Sequence, residues 1–322
     1  MDRTQIFANK PTSQDDSWDV VVVGSGPAGL SAAIYTTRGA ASTLILGGEK
    51  WGGQLMLTTE VDNYPGFPNG IQGPELMEMM KNQAVRFGAE FKTSSVTSVD
   101  FSKVPFELTA DGKVYKAKSV IVATGAETNW LGVPGETKLI GRGVSSCAPC
   151  DAPFFKDKNV LVVGGGDSAM EEALVLTKYA TSVAIIHRKS EFKASKAMQQ
   201  RVFDNPKIKI IWDTEVLEIM GENVFEKVKV RNTKTSVESE ISANGIFIAI
   251  GHSPSSAIFK GLLDLDEKEY IIPKEGSKTN ILGVFVSGDV HDHTYRQAVT
   301  AAGYGCQAGM DALNYLSGDH GL

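Results

Sequence analysis

Two stretches of this chain are apolar without alternation: Asp19–Gly24 reads DVVVVG and Asn159–Gly164 reads NVLVVG. A strand with one wet face alternates apolar and polar residues. An uninterrupted apolar run predicts a strand buried on both faces of a parallel sheet. Each run ends in a glycine-rich turn. Gly24-Ser25-Gly26-Pro27-Ala28-Gly29 is GxGxxG, and Gly164-Gly165-Gly166-Asp167-Ser168-Ala169 is GxGxxA. Behind each turn apolar residues recur at helical spacing: Leu30, Ala33, Ile34 and Thr37 in the first, Ala169, Met170, Ala173, Leu174 and Thr177 in the second. A further short strand closes each unit, Ser42–Leu46 and Ser182–His187. The chain thus repeats a β-α-β unit. The predicted fold class is α/β, with two Rossmann-like dinucleotide-binding domains of three layers each.

The glycines have separate tasks. Gly24 makes the tight turn, Gly26 lets the backbone approach a pyrophosphate, and Gly29 lets the helix lie close on the strand. The helix N-terminus offers free N–H groups and the positive end of its dipole. Gly164, Gly166 and Ala169 repeat the pattern. One such turn is a weak signal; two, each with a strand before it and a helix after it, are specific. Two dinucleotide sites imply two dinucleotides, one handing electrons to the other.

The residues just after each closing strand separate the ligands. An acid there ordinarily holds the ribose 2′-OH of NAD. The second unit has His187-Arg188-Lys189 instead, then Lys193 and Lys196. Cationic side chains at this point suit a 2′-phosphate, so NADPH is expected at this site. For Lys193 and Lys196 the competing reading is a solvated basic helix face. In the first unit Glu49 is displaced from the acid position.

Two later segments point to a flavin at the first site. Ser119–Gly125 (SVIVATG) predicts another buried strand, ending in Thr124-Gly125. Thr279–Asp289 is expected as a strand ending in Gly288-Asp289, whose carboxylate would accept from a ribityl hydroxyl. Arg296-Gln297-Ala298 then opens a helical pattern, and that N-terminus would stabilise negative charge on a reduced flavin ring. The FAD domain is therefore expected to be discontinuous, 18–128 and 255–322, with the NADPH domain, 129–254, inserted. Residues 1–17 read as a flexible tail, and Gly251–Pro254 as the return linker.

Composition narrows the classes. A chain of 322 residues is long enough for two domains. The net charge of −6 lacks the basic footprint of a nucleic-acid binder. No apolar run approaches the roughly 18 residues that span a bilayer, and the N-terminus has no apolar signal core. The expectation is a cytoplasmic protein with no nucleic-acid or membrane partner. Three cysteines do not make a disulfide-stapled scaffold.

Two of the three form Cys147-Ala148-Pro149-Cys150, a C-x-x-C between the two units. Structural zinc needs four ligands; no second cysteine pair exists, and His187, His252, His291, His293 and His320 are scattered, so no metal is expected. Chance cysteines in a loop are one alternative. A redox pair is the other: it takes two electrons, as many as a hydride delivers. Asp151 is placed to protonate a departing thiolate, or to serve only as a cap. Cys306, in GYGCQAG, is expected as buried packing.

With these motifs the chain resembles the low-molecular-weight thioredoxin reductases of bacteria, archaea, plants and some protists, from Asp19 to about Leu316. The matching text includes GSGPAG at 24–29, WGGQL at 51–55, NYPGFP at 63–68, ATG at 123–125 and GRGVSSCAPCD at 141–151. It continues with GGGDSAMEEAL at 164–174, HRK at 187–189, AIGHSP at 249–254 and GDVHDHTYRQAVTAAGYGC at 288–306. The resemblance implies FAD at Gly24–Gly29, Gly53, Gln54, Leu55, Asn63, Thr124, Gly125, Gly288, Asp289, Arg296, Gln297 and Ala298. It implies NADPH at Gly164, Gly166, Asp167, Ser168, Ala169, His187, Arg188, Lys189, Lys193, Ile250 and Gly251. Hydride would pass from NADPH to FAD, reduced FAD would open a Cys147–Cys150 disulfide, and the dithiol would reduce thioredoxin. By family position Cys150 lies against the flavin, Cys147 attacks the partner, and Asp151 is the acid. The family rotates one domain against the other, here at hinges near Thr124–Thr128 and Gly251–Pro254, and forms homodimers. The chain departs from the pattern at Lys189 and Lys193, where arginines are usual. It also departs at CAPC, where CATC is commoner, and at Ala152-Pro153, where glycine is usual. The alternatives are a ferredoxin-fed or dithiol-oxidising flavoprotein of the same fold, and an FAD redox sensor that does not turn over.

Overall fold

The computed structural model describes residues 17–58 and 60–318, and in it the chain divides into two compact units. One takes the chain up to Glu127 and again from Ser253; the other is Thr128–His252. The crossings fall one and two residues before the boundaries read from the sequence. The crossing segments, Ala126–Thr128 and His252–Pro254, pair as a two-stranded ribbon. The expected tail lies outside the described residues except for Ser17, which opens the first strand.

In the first unit the strand Ser17–Val23 lies between Thr43–Leu46 and Lys113–Val122, parallel to both. Val284–Val286 and Glu90–Lys92 extend the parallel sheet at either side. The apolar run has no alternation because successive residues enter different cores. Val20 and Val22 join one cluster with Leu30, Ile34 and Met77; Val21 and Val23 join another with Phe106, Leu108 and Phe259. The first half of Lys113–Val122 does a second job, pairing antiparallel with Phe106–Ala110, which pairs with Val96–Asp100.

The first helix, Pro27–Arg38, is buried almost all round, at Ala28 through Ile34 and at Thr36 and Thr37. The sequence showed one apolar face. The second covered face packs on the helix Ala298–Leu316, and small residues set how closely. A Cβ at Gly305 would stand 2.2 Å from the Ala28 carbonyl oxygen, and one at Gly309 would stand 2.9 Å from that of Ala32.

The second unit holds a five-stranded parallel sheet in the order Val144–Ser145, Gly245–Ile248, Asn159–Val163, Ser182–Ile186, Ile208–Ile211. Val160 and Val162 face one core, Leu161 and Val163 the other. A three-stranded antiparallel sheet, Thr214–Met220, Lys227–Asn232 and Glu238–Ser242, supplies the third layer through Val216, Ile219, Val228 and Val230.

The expected strand Thr279–Asp289 is a correction. Only Val284–Val286 forms a strand. Thr279 folds its hydroxyl back on the carbonyls of Ile281 and Val284, at 3.2 and 2.8 Å, closing a turn before the strand begins. Gly288–Val290 is a turn of 3₁₀ helix.

Candidate active site

The first unit gathers its candidate residues around one glycine turn. A Cβ on Gly24 (φ 109°) would stand 2.2 Å from the carbonyl oxygen of Ala123, so the turn abuts the Ala123-Thr124-Gly125 segment. A Cβ on Gly29 would stand 2.2 Å from the Gly24 oxygen, one on Gly288 2.7 Å from Ala28 Cβ, and one on Gly53 3.8 Å from Gly26 Cα. Gly24–Gly29, Gly53, Ala123–Gly125 and Gly288 therefore converge from four distant parts of the chain. Ser25 spends its hydroxyl within the protein, donating to the Gly47 carbonyl at 2.8 Å and accepting from the Gly52 N–H at 3.0 Å. Gln54 reaches the Ala126 carbonyl, and Asn63 donates to Gln297 Oε1 at 3.2 Å. Thr124 donates to the Ser255 carbonyl at 2.7 Å. Leu55, partly buried, packs on the core of the unit. Gln297 is the N-cap of the helix that opens at Ala298, and Arg296 precedes it at φ 48°. The Asp292 carboxylate accepts from the amides of Thr294, Tyr295 and Arg296, which shapes that approach.

Two observations fit this site to FAD. A Cβ at Gly26 meets nothing within 4 Å, an open cradle at the N-terminus of a helix where a pyrophosphate belongs. Beside it Asp289 Oδ1 is buried with no hydrogen-bond partner among the described residues. Burial, with the nearby charge of Asp292, pushes the Asp289 carboxyl up to about 6 against the pull of Arg296. A hydroxyl-bearing ligand would satisfy that oxygen.

The second unit repeats the plan. A Cβ on Gly164 would stand 2.4 Å from the Ala249 carbonyl oxygen and 2.7 Å from Ala169 Cβ, which brings Gly164, Ala169 and the Ala249-Ile250-Gly251 segment together. Gly166 is open, with nothing within 4 Å, as the cradle of a second nucleotide requires. Asp167 opens the helix Asp167–Leu176, with Ser168 behind it, and accepts from the Ser195 N–H and hydroxyl at 2.9 and 2.8 Å. The Gly165 carbonyl accepts from the amides of Lys193 and Ala194 at 2.8 and 3.1 Å. Lys193 thus stands in the loop beside the glycine turn, not on a helix face; the helix begins at Lys196. The His187 ring fills the space a Cβ on Gly165 would need, and its Nε2 lies 2.9 Å from the Glu191 carbonyl. Arg188 and Lys189 are exposed just beyond the end of the strand Ser182–Ile186.

The thiols are joined. Cys147 and Cys150 form a disulfide with Cα atoms 5.3 Å apart, at the start of the short helix Ala148–Asp151. Asp151 stands at the N-cap of the 3₁₀ helix Ala152–Phe155 but makes no side-chain capping hydrogen bond. Its Oδ2 accepts from the Ser145 hydroxyl at 2.5 Å, and Ser145 Oγ in turn accepts the Cys147 N–H at 3.1 Å. Burial raises the Asp151 carboxyl above the ordinary aspartate range, with the Ser145 hydrogen bond pulling the other way. A buried carboxyl beside a disulfide, its proton held more firmly than an ordinary aspartate holds one, is suited to give that proton to a departing thiolate. The sequence did not single out Ser145 or Glu172, whose carboxylate accepts the Ala148 N–H from the helix Asp167–Leu176. Cys306 is half-buried rather than buried, 4.0 Å from the Met310 sulfur.

Among the described residues no group of three or more His, Cys, Asp or Glu could hold a metal ion, and no helix is long and apolar enough to cross a membrane.

Comparison with known proteins places these features. The family model of pyridine nucleotide-disulphide oxidoreductases matches residues 18–305. The thioredoxin reductase of Streptomyces coelicolor is 50% identical over 305 residues, covering 94% of this chain and 95% of that one. A bifunctional thioredoxin reductase/thioredoxin of Mycobacterium leprae is 47% identical over 309 residues, covering 95% of this chain and 68% of its own length. The crystal structure of thioredoxin reductase from Streptococcus pyogenes superposes with a TM-score of 0.91 at 39% identity, over 95% of this chain and all of that one. A redox disulfide, two nucleotide turns and this likeness along nearly the whole chain agree: the chain belongs to the pyridine nucleotide-disulphide oxidoreductases and, within them, to the thioredoxin reductases.

Proposed function

We propose that this chain reduces the disulfide of thioredoxin at the expense of NADPH. The observation that carries the reading is the Cys147–Cys150 disulfide, built into a unit that also holds its own nucleotide turn. FAD, when bound, supplies two-electron transfer between a nicotinamide and a disulfide. Gly24, Gly26 and Gly29 give the pyrophosphate a place at the helix N-terminus, and Asp289 orients the ribityl chain. Asn63 and Gln297, already bonded to each other, stand at the approach to the Ala298 helix. Gly164, Gly166 and Ala169 hold the second pyrophosphate, and Arg188, Lys189 and Lys193 select the 2′-phosphate. Cys147 is the thiol that attacks the partner's disulfide, Cys150 closes the ring again, and Asp151 holds the proton that leaves with the thiolate. The Mycobacterium leprae relative, which joins a thioredoxin to this enzyme in one chain, supports thioredoxin as the partner. Assembly as a homodimer and rotation of one unit against the other belong to the same reading.

Anaerobic titration of the yellow protein, followed by flavin absorbance, tests it. The wild type takes up two equivalents of NADPH per subunit and Cys147→Ser takes up one, because the flavin and the disulfide each hold two electrons. Bleaching by dithionite but not by NADPH would reject the reading in favour of a ferredoxin-fed relative or a sensor.

A further inference from the structure

One buried hydroxyl joins the two halves of the redox turn. Ser145 ends the strand Val144–Ser145, which pairs in parallel with Ile246 and Phe247. The side chain therefore starts from a rigid, buried position. Its Oγ donates to Asp151 Oδ2 at 2.5 Å and accepts the Cys147 N–H at 3.1 Å. The main chain closes the same loop from the other side, since the Asp151 N–H donates to the Cys147 carbonyl at 3.0 Å. Asp151 is thus tied to Cys147 twice, once through backbone and once through Ser145. The two ties do different work. The backbone bond fixes where residue 151 stands but leaves its side-chain torsions free. Only the Ser145 bond fixes where the carboxyl points. It engages Oδ2, and Oδ1 takes no hydrogen-bond partner among the described residues.

We propose that Ser145 is the positioning residue for the proton donor of the redox pair: its hydroxyl holds Asp151 Oδ2 beside the Cys147 amide, leaves Oδ1 to carry the proton, and stabilises the carboxylate once the proton has gone. The inference rests on reading Asp151 as the acid. In the step concerned, a thiolate attacks one sulfur of the disulfide and forms a new S–S bond. The Cys147–Cys150 bond breaks, and the departing sulfur keeps its electron pair and takes the proton of Asp151. The carboxylate left behind finds a donor already in place, so nothing has to reorient as the charge appears.

The test is a double-mutant cycle on disulfide opening. The full chain, oxidised and without air, is mixed with excess dithiothreitol, whose thiolate is the attacking group and which ends as the cyclic disulfide. Samples are quenched with N-ethylmaleimide, and peptide mass spectrometry counts the opened Cys147–Cys150 pair apart from Cys306. Ser145→Ala should slow opening roughly tenfold, through a lost hydrogen bond to the acid. In an Asp151→Asn background, already slow, the same substitution should change the rate by less than about twofold, because the two residues act as a unit. Ser145→Thr keeps the hydroxyl and should restore opening, whereas Ser145→Val, of the same shape, should not. If Ser145→Ala fails to fold, the threonine and valine variants carry the cycle. Equal slowing by Ser145→Ala in both backgrounds, as a merely structural role would give, would overturn the proposal, and so would no slowing in either. An Asp151→Asn protein that opens as fast as the parent would instead reject the acid reading beneath it. Neither NADPH nor thioredoxin enters the measurement, so a failed anaerobic titration would leave this result readable.

Discussion

At the residue scale, Asp289, proposed above to orient the ribityl chain, is buried at a cost to the fold. Its carboxyl is raised from 3.8 to about 6, chiefly by burial. A folded-state pKa above the unfolded value means that protonation stabilises the fold. That stability is full below about pH 4 and is lost as pH rises through about 6. By pH 7 the ionised group costs on the order of 3 kcal/mol. Asp289→Asn should therefore raise the melting temperature of the flavin-stripped protein at pH 7 and flatten its fall between pH 4 and 7. The same variant should lose flavin on dilution; a variant less stable than the wild type at pH 7 would refute the account. Asp151 makes the complementary case. Asp151→Asn keeps the shape and removes the transferable proton, and should slow thioredoxin reduction about 100-fold with NADPH-to-flavin reduction unchanged, as stopped-flow absorbance would show. Cys147, Cys150 and Asp151 were legible in the sequence because they are neighbours in the chain. Ser145 was within reach, two residues before Cys147, but nothing in its type marked it. Glu172 is 24 residues from the amide it binds, and only the packing of one helix on the other brings them together.

At the scale of elements, the glycine turns separate what holds the fold from what holds the ligand. A Cβ at Gly29 collides with the Gly24 carbonyl, and backbone cannot step aside as a side chain can. Gly29→Ala should cost about 3 kcal/mol or more, read by urea unfolding. Gly26→Ala meets no atom of the protein. It should leave the flavin-stripped midpoint unchanged and weaken FAD binding at least tenfold. Equal loss of stability in the two variants would contradict this division. Both β-α-β units were legible because a strand buried on two faces shows as an unbroken apolar run. The antiparallel layers were not read, although their signal was present: in Lys113–Val122 exposed and buried residues alternate before the run turns wholly buried. The expected strand Thr279–Asp289 failed because an apolar string does not show where a threonine hydroxyl will close a turn on its own backbone.

At the scale of the whole chain, the insertion carries its own prediction. Thr128–His252 has a core on each face of its sheet, and its ends meet: the Asn129 amide donates to the Gly251 carbonyl at 3.0 Å. A unit with its own core and adjacent ends can fold alone. The excised segment should unfold in a single cooperative transition and bind NADPH in preference to NADH, and Arg188→Ala should weaken its binding of NADPH but not of NADH. A non-cooperative melt followed by circular dichroism would show that it depends on the rest of the chain.

The sequence by itself determined the repeated β-α-β plan, the order of the two nucleotide turns and the redox pair, because each is written in residues adjacent along the chain. Tertiary structure decided what stands beside those residues: that Gly288 abuts Ala28, that His187 fills the space at Gly165, and that Glu172 takes the Ala148 amide. Local backbone preference and hydrophobic period act over a few residues and can be read there. Burial, charge and hydrogen-bond partnership depend on which distant segments the two cores draw together, and that is fixed only when the cores are packed.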